Sequence, residues 1–183
     1  MAEFAQSTLD PSFGWWITGL TDGEGCFYAN LSFREKATKA GALVPCVELE
    51  AQFAIALRAD DAATLSKVLA HFKCGKIANK FSSAEAPSRL RQGIKPSPMR
   101  RFIVRKPIDL IERVIPHFDS YPLQSKKARD FEIWKQLVFF ASSELVGHKG
   151  WLRRFPEKVE HLGELCARLK TNRKYVDIDE VRN

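Results

Sequence analysis

Methionine is almost absent from this 183-residue chain, and cysteine is sparse: Cys26, Cys46, Cys74 and Cys166, with no CxxC pair among them. That scatter speaks against a thiolate zinc knuckle or a disulfide framework, so reduced core thiols are expected. The four histidines, His71, His117, His148 and His161, are equally dispersed, which disfavours a His/Cys metal cluster. No apolar run approaches the ~20 residues that a membrane-spanning helix needs, so no membrane partner is expected. The opening residues, MAEFAQSTLDPSF, lack a basic and then apolar leader, and no secretory signal is expected. Acids are missing from one long stretch: Lys73 to Lys106 holds ten basic residues and a single acid, Glu85.

What remains fits one globular domain over residues 1–183, with frayed ends at 1–9 and 175–183. The net charge of +7 is unevenly spread: residues 1–60 are net −4, 61–130 net +9 and 131–183 net +2. A basic stripe of this kind is the footprint of a polyanion, most often nucleic acid. A solvated basic face would have the same composition.

The periodicity gives an α+β order. DPSFGWW opens a helix with Asp10 as N-cap and Pro11 at its first position, and Phe13, Trp16, Ile17 and Leu20 are expected to form its buried face. Gly19 and Gly23 stand four apart on another face, where a partner helix could come close. CFYANLSFR and VELEAQFAIALR then alternate apolar and polar residues as strands do. DDAATLSKVLAHFKCG reads as a helix capped by Asp60 or Asp61 and stopped by Gly75. GKIANKF and RRFIVRK are two further strands, and helices are expected from Pro107, over SKKARDFEIWKQLVFFA and over FPEKVEHLGELCARLKTN. Antiparallel hairpins with helices gathered on one face make an α+β domain. The polar faces of the strands would carry Tyr28, Asn30, Ser32, Arg34, Lys36, Glu48, Glu50, Gln52, Arg58, Lys76, Lys80, Arg101 and Arg105. Long polar and basic side chains on a twisted open sheet suit reading base edges in a groove, with Glu48 and Glu50 able to accept from cytosine amino groups.

Two acids stand out. In GWWITGLTDGEGCF, Asp22 and Glu24 end a helix whose last carbonyls already carry about half a negative charge, so something positive should sit beside them. One candidate is a hard divalent cation such as Mg²⁺, which takes one or two carboxylates plus phosphate oxygens and water. Two helices packed through Gly19 and Gly23 would bring one acid from each copy together. The bland reading is that DGEG is only a tight capping loop.

The nine residues ITGLTDGEG, Ile17 to Gly25, resemble the signature of the LAGLIDADG homing endonucleases, with glycines, apolar positions and both acids in register. FAIALRADDAATLSKVLAHFKCGKI and YPLQSKKARDFEIWKQL are similar to that family's later segments. The resemblance implies an αββαββα repeat with a saddle-shaped antiparallel sheet, here followed by extra C-terminal helices. It implies that Glu24 holds the catalytic metal, with the Gly23 carbonyl as a second ligand, and that Gly19, Asp22 and Gly23 lie at a helix–helix interface. Lys126 or Lys127 resembles the basic residue that stabilises charge at the cleaved phosphate. The implied cofactor is Mg²⁺ or Mn²⁺, with Ca²⁺ binding without supporting cleavage. The polar residue that often orients water near the second strand has no counterpart, since Leu57 or Ala56 stands there and Gln52 is the nearest amide. Only one DG-acid-G motif occurs, which in this family implies a homodimer cutting a long, nearly palindromic duplex with a staggered break. The implied location is intracellular and DNA-associated, in a bacterial cytoplasm or an organelle. Intron RNA, bound by a maturase-like relative, and a non-catalytic dimeric regulator are the alternatives.

Overall fold

Pro11 begins α1 (Pro11–Glu24), where its missing N–H would have no partner in any case. The structure, a computed structural model, describes residues 11–37, 41–80, 98–142 and 156–171. The expected Asp10 cap and the frayed ends lie outside them, as do the side chains of Arg34, Lys36 and Lys80. The buried stripe of α1 is Gly14, Ile17, Thr18 and Thr21, rather than the expected Phe13, Trp16, Ile17 and Leu20. Trp16 is 40% exposed and stacks on Phe13 instead, with ring centroids 5.1 Å apart. The reason is a close approach at Gly14, where a Cβ would stand 2.5 Å from the ring of Tyr121.

The chain then runs β1 (Gly25–Ala37), β2 (Leu43–Arg58), a 3₁₀ turn, α2 (Ala62–Phe72), β3 (Lys76–Lys80) and β4 (Met99–Val104). After these come α3 (Pro107–Asp109), a π turn (Leu110–Val114), α4 (Ile115–Ser120), α5 (Lys127–Ser142) and α6 (Pro156–Thr171). This is the expected element order. The strands form one sheet in the order β1-β2-β4-β3, with β4 antiparallel to both β2 and β3.

Two local details depart from the sequence reading. Asp61 occupies the N-cap of α2 but makes no side-chain cap bond, and Asp60 turns back to pair with Arg58. The left-handed residue that ends α2 is Lys73, with φ 52°, whereas Gly75 turns the chain into β3. The helix expected from Pro107 forms, but it widens into the π turn just before Pro116. A proline there has no N–H to give to the preceding turn, and the wider turn absorbs the lost bond.

The chain divides into two compact units. One holds α1, the end of β2 from Gln52, α2, β3, β4, α3 and α4, and its core is a ring cluster centred on Phe53. Phe72, Phe102 and Phe118 surround that ring with centroids 5.4–6.2 Å away. The other holds β1 from Phe27, the start of β2, and α5 and α6. There Phe27 packs on Phe131 and on the fully buried Trp134. Of the described cysteines, all free, Cys166 is buried as expected, but Cys26 is exposed.

Candidate active site

The foot of α1 answers the question its acids raise. Asp22 is tied to the segment that leads into α5: Oδ2 accepts the Gln124 N–H at 2.9 Å, and Oδ1 accepts the Ser125 hydroxyl at 2.6 Å and the Ser125 N–H at 3.3 Å. Ser125 in turn caps α5, its Oγ accepting the Lys127 N–H at 3.2 Å. The Lys127 ammonium donates to the carbonyls of Thr21, Asp22 and Gly23 at 3.0, 2.9 and 2.9 Å. These are last-turn carbonyls of α1, which have no partner within the helix. The positive group beside the acids is therefore a lysine of this chain.

Glu24 ends α1 exposed, and it makes no hydrogen bond or ion pair among the described residues. The same holds for Lys126, the exposed neighbour of Lys127. So the motif's two acids part company, as do the two lysines: Asp22 and Lys127 are used internally, and Glu24 and Lys126 face outward. Among the described residues no group of three or more His, Cys, Asp or Glu side chains is placed to hold a metal. A cation that needs only one or two carboxylates still fits Glu24 with the Gly23 carbonyl, whose oxygen has a second lone pair beside the Lys127 bond.

Gly19 and Gly23 leave one face of α1 open. A Cβ built on either would meet nothing within 4 Å, and Trp15 beside them is 48% exposed.

The opposite side of α1 is anchored by a polar chain that sequence reasoning missed. The Thr18 hydroxyl donates to the Tyr121 carbonyl at 2.8 Å, so His117 must donate its Nε2–H to Thr18 Oγ1, 3.5 Å away. His117 Nδ1 is then the acceptor for His71 Nε2–H at 3.0 Å. Burial, with His71 alongside, pushes the His117 imidazole down to about 3. Burial lowers His71 as well. Both rings had looked like isolated histidines, since the pair is 46 residues apart in sequence.

The described strands keep only part of the expected alternation, since Phe33 is 66% exposed and Ala54 is buried. Leu49, Ala51, Phe53 and Ile55 are buried, while Glu48 and Gln52 are half-buried and Glu50 is exposed. Across the ladders Arg101 lies opposite Ala56 and Ala78, Arg58 opposite Met99, and Met99 opposite Lys80. Arg58, Lys76 and Arg105 are exposed. Arg105 Nε donates to Gln52 Oε1 at 3.1 Å, and the buried Nε of Arg101 has no partner among the described residues. In the other unit Tyr28, Asn30 and Ser32 are half-buried, Asn30 Oδ1 accepts from Lys170 at 3.2 Å, and the Ser32 hydroxyl donates to the Glu48 carbonyl at 3.4 Å. Lys170, on α6, is a cation beside Asn30 that no strand pattern could have indicated.

The family model of the LAGLIDADG endonucleases matches residues 17–138, from inside α1 to inside α5. The chain belongs to that family. It is 31% identical over 134 residues to a Podospora anserina protein, the uncharacterized 50.9 kDa protein in ND4 intron 1, covering 72% of this chain and 24% of that one. Its fold is that of LAGLIDADG homing endonucleases. The crystal structure of I-LtrWI bound to target DNA superposes with a TM-score of 0.66 at 20% identity, over 94% of this chain and 48% of that one. I-TnaI superposes with a TM-score of 0.59 at 22% identity, over 95% of this chain and 99% of that one. The chain thus spans about half of I-LtrWI and a quarter of the Podospora relative, but nearly the whole of I-TnaI. No helix among the described residues is long and apolar enough to cross a membrane.

Proposed function

We propose that this LAGLIDADG protein is a site-specific endonuclease that hydrolyses both strands of a long, nearly palindromic DNA duplex, acting as a homodimer with Mg²⁺ or Mn²⁺. The observation that carries this reading is the division of labour at the foot of α1, where Glu24 is the one acid of the motif left uncommitted. Glu24 and the Gly23 carbonyl would hold the divalent cation, whose chemistry there is to polarise a phosphodiester and make water a nucleophile at neutral pH. Asp22 holds the turn through Gln124 and Ser125 and so keeps Glu24 at the helix end. Lys126 is free to meet a phosphate oxygen. The exposed Lys76 and Arg105 and the half-buried Arg101 would track the backbone and read base edges.

A homodimer is supported by the single motif and by the open Gly19–Gly23 face, where two α1 helices could approach and bring one Glu24 from each copy together. The Podospora relative's place in an intron supports an intron-borne origin.

The test is selection from a randomised duplex pool in Mg²⁺, followed by sequencing of what is bound and cut. A dimer that enriches one long near-palindrome and leaves staggered ends is the expected outcome. Glu24→Gln should lower cleavage by about a thousandfold, the scale of removing one charge-stabilising group, while retaining DNA affinity. Cutting by Glu24→Gln in chelator would overturn the metal assignment. Tight binding to structured intron RNA with no DNA cleavage would overturn the nuclease reading in favour of a maturase.

A further inference from the structure

An ammonium has three N–H donors and no acceptor. At Lys127 the Thr21, Asp22 and Gly23 carbonyls take one each, at 3.0, 2.9 and 2.9 Å. A phosphate could claim a donor only by displacing a carbonyl that has no other helical partner. The lysine is also built into a closed ring of bonds. Its own N–H goes to Ser125 Oγ, the Ser125 hydroxyl goes to Asp22, and the Asp22 and Gly23 carbonyls return to its Nζ. Lys126, one residue earlier, is exposed and outside that ring.

We propose that Lys127 is a positioning residue, a resident cation that fixes the Gly23 carbonyl and the adjoining Glu24 for holding a divalent metal, while Lys126 supplies the charge that meets the phosphate. The proposal rests on the nuclease reading and divides its two lysines. The physical basis is electrostatic as well as geometric. Two carboxylates at the negative end of a helix repel each other and the last carbonyls. One ammonium shared among three carbonyls offsets that repulsion and stops the last turn from unwinding. Arginine would keep the charge, but its planar fork cannot direct three donors at three converging oxygens. The charge and the tripod are therefore separable by mutation.

The experiment compares wild type with Lys126→Met, Lys127→Met and Lys127→Arg. Two readouts need neither DNA nor turnover: amide hydrogen exchange at residues 23–26, and Mn²⁺ binding followed by electron paramagnetic resonance. The third is the Mg²⁺ concentration giving half-maximal cleavage. Lys127→Met should exchange faster at the foot of α1 and bind Mn²⁺ about tenfold more weakly, the usual cost of losing a group that orients a ligand. Its half-saturating Mg²⁺ should rise by more than its maximal rate falls, and Lys127→Arg should lie between Lys127→Met and wild type. Lys126→Met should bind Mn²⁺ and exchange like wild type but cut about a hundredfold more slowly at saturating metal.

Wild-type exchange and Mn²⁺ affinity in Lys127→Met would overturn the proposal. A fall in its maximal rate with half-saturating Mg²⁺ unchanged would do the same, by making Lys127 the phosphate-facing lysine. Should Lys127→Met fail to fold, wild-type Mn²⁺ affinity in Lys127→Arg is the overturning result. If the wild-type protein cuts no duplex, the nuclease reading falls, and exchange and Mn²⁺ binding still decide whether Lys127 sets the foot of α1.

Discussion

The foot of α1 and the polar side of β2, β3 and β4 use the same residue types to opposite ends. At the foot, charged groups are consumed inside the protein: Asp22 accepts three hydrogen bonds and the Lys127 ammonium donates three. On the sheet, Lys76 is exposed, Arg105 bonds only the Gln52 amide among the described residues, and the buried Arg101 Nε has no partner among them. Chemistry at a phosphate demands groups held to within a fraction of an ångström. Reading a groove demands donors that the protein has not already satisfied. Outward-facing charge at the foot is correspondingly reduced to Glu24 and Lys126, and their isolation within a saturated network marks them out.

That contrast predicts unequal costs of mutation. The largest effect on folding should come from Asp22→Ala, which strips the acceptor from two backbone N–H groups and a hydroxyl. Leaving such donors unpaired in a half-buried turn costs about 2 kcal/mol, read as a shift in the urea midpoint with an unchanged slope. A shift no larger than that of an exposed sheet variant would dissolve the distinction between the two regions.

The second prediction concerns the histidine chain on the other side of α1. His117 titrates at about 3 in the fold against an ordinary 6.5, so the folded protein refuses a proton that the unfolded chain accepts. Its contribution to stability is complete above pH 6.5 and is lost as pH falls toward 3, by at most about 1.4 kcal/mol for each pH unit. His71 shifts the same way and adds to the slope. Urea unfolding at several pH values between 7.5 and 4.5, all chosen by the experimenter, should show wild type losing stability faster than His117→Phe, which has nothing to protonate. Parallel slopes would show that the ring is not held neutral by the fold.

Much of this was legible in the sequence, and the residues show why. The switch of period after Gly25 announced the strands, and ITGLTDGEG with its downstream segments announced the repeat, because both are local patterns. The buried face of α1 was misjudged because apolarity pointed to Trp16, whereas packing turned on a glycine small enough to admit Tyr121 and on a threonine that could bond its carbonyl. Lys126 and Lys127 could not be told apart by spacing, since both follow Ser125 into the same helix. Only the tertiary position of three carbonyls 104–106 residues away separates them. His71 and His117 stayed invisible as a pair for the same reason.

The smallest expected effect belongs to the sheet. Arg105 is exposed at the end of β4, with its Nε propped by Gln52 Oε1 at 3.1 Å, so its terminal amines are left for a phosphate. Arg105→Ala removes no buried contact, and its folding free energy should stay within about 0.5 kcal/mol of wild type, as for most surface substitutions. DNA binding is where it should register. Losing one phosphate contact weakens affinity for every duplex alike and flattens the plot of log K against log salt by about 0.9. A loss confined to one base pair, with the salt slope intact, would instead make Arg105 a base reader. A fall in stability comparable to that of Asp22→Ala would mean that the sheet face, like the foot, spends its charges on holding the protein together.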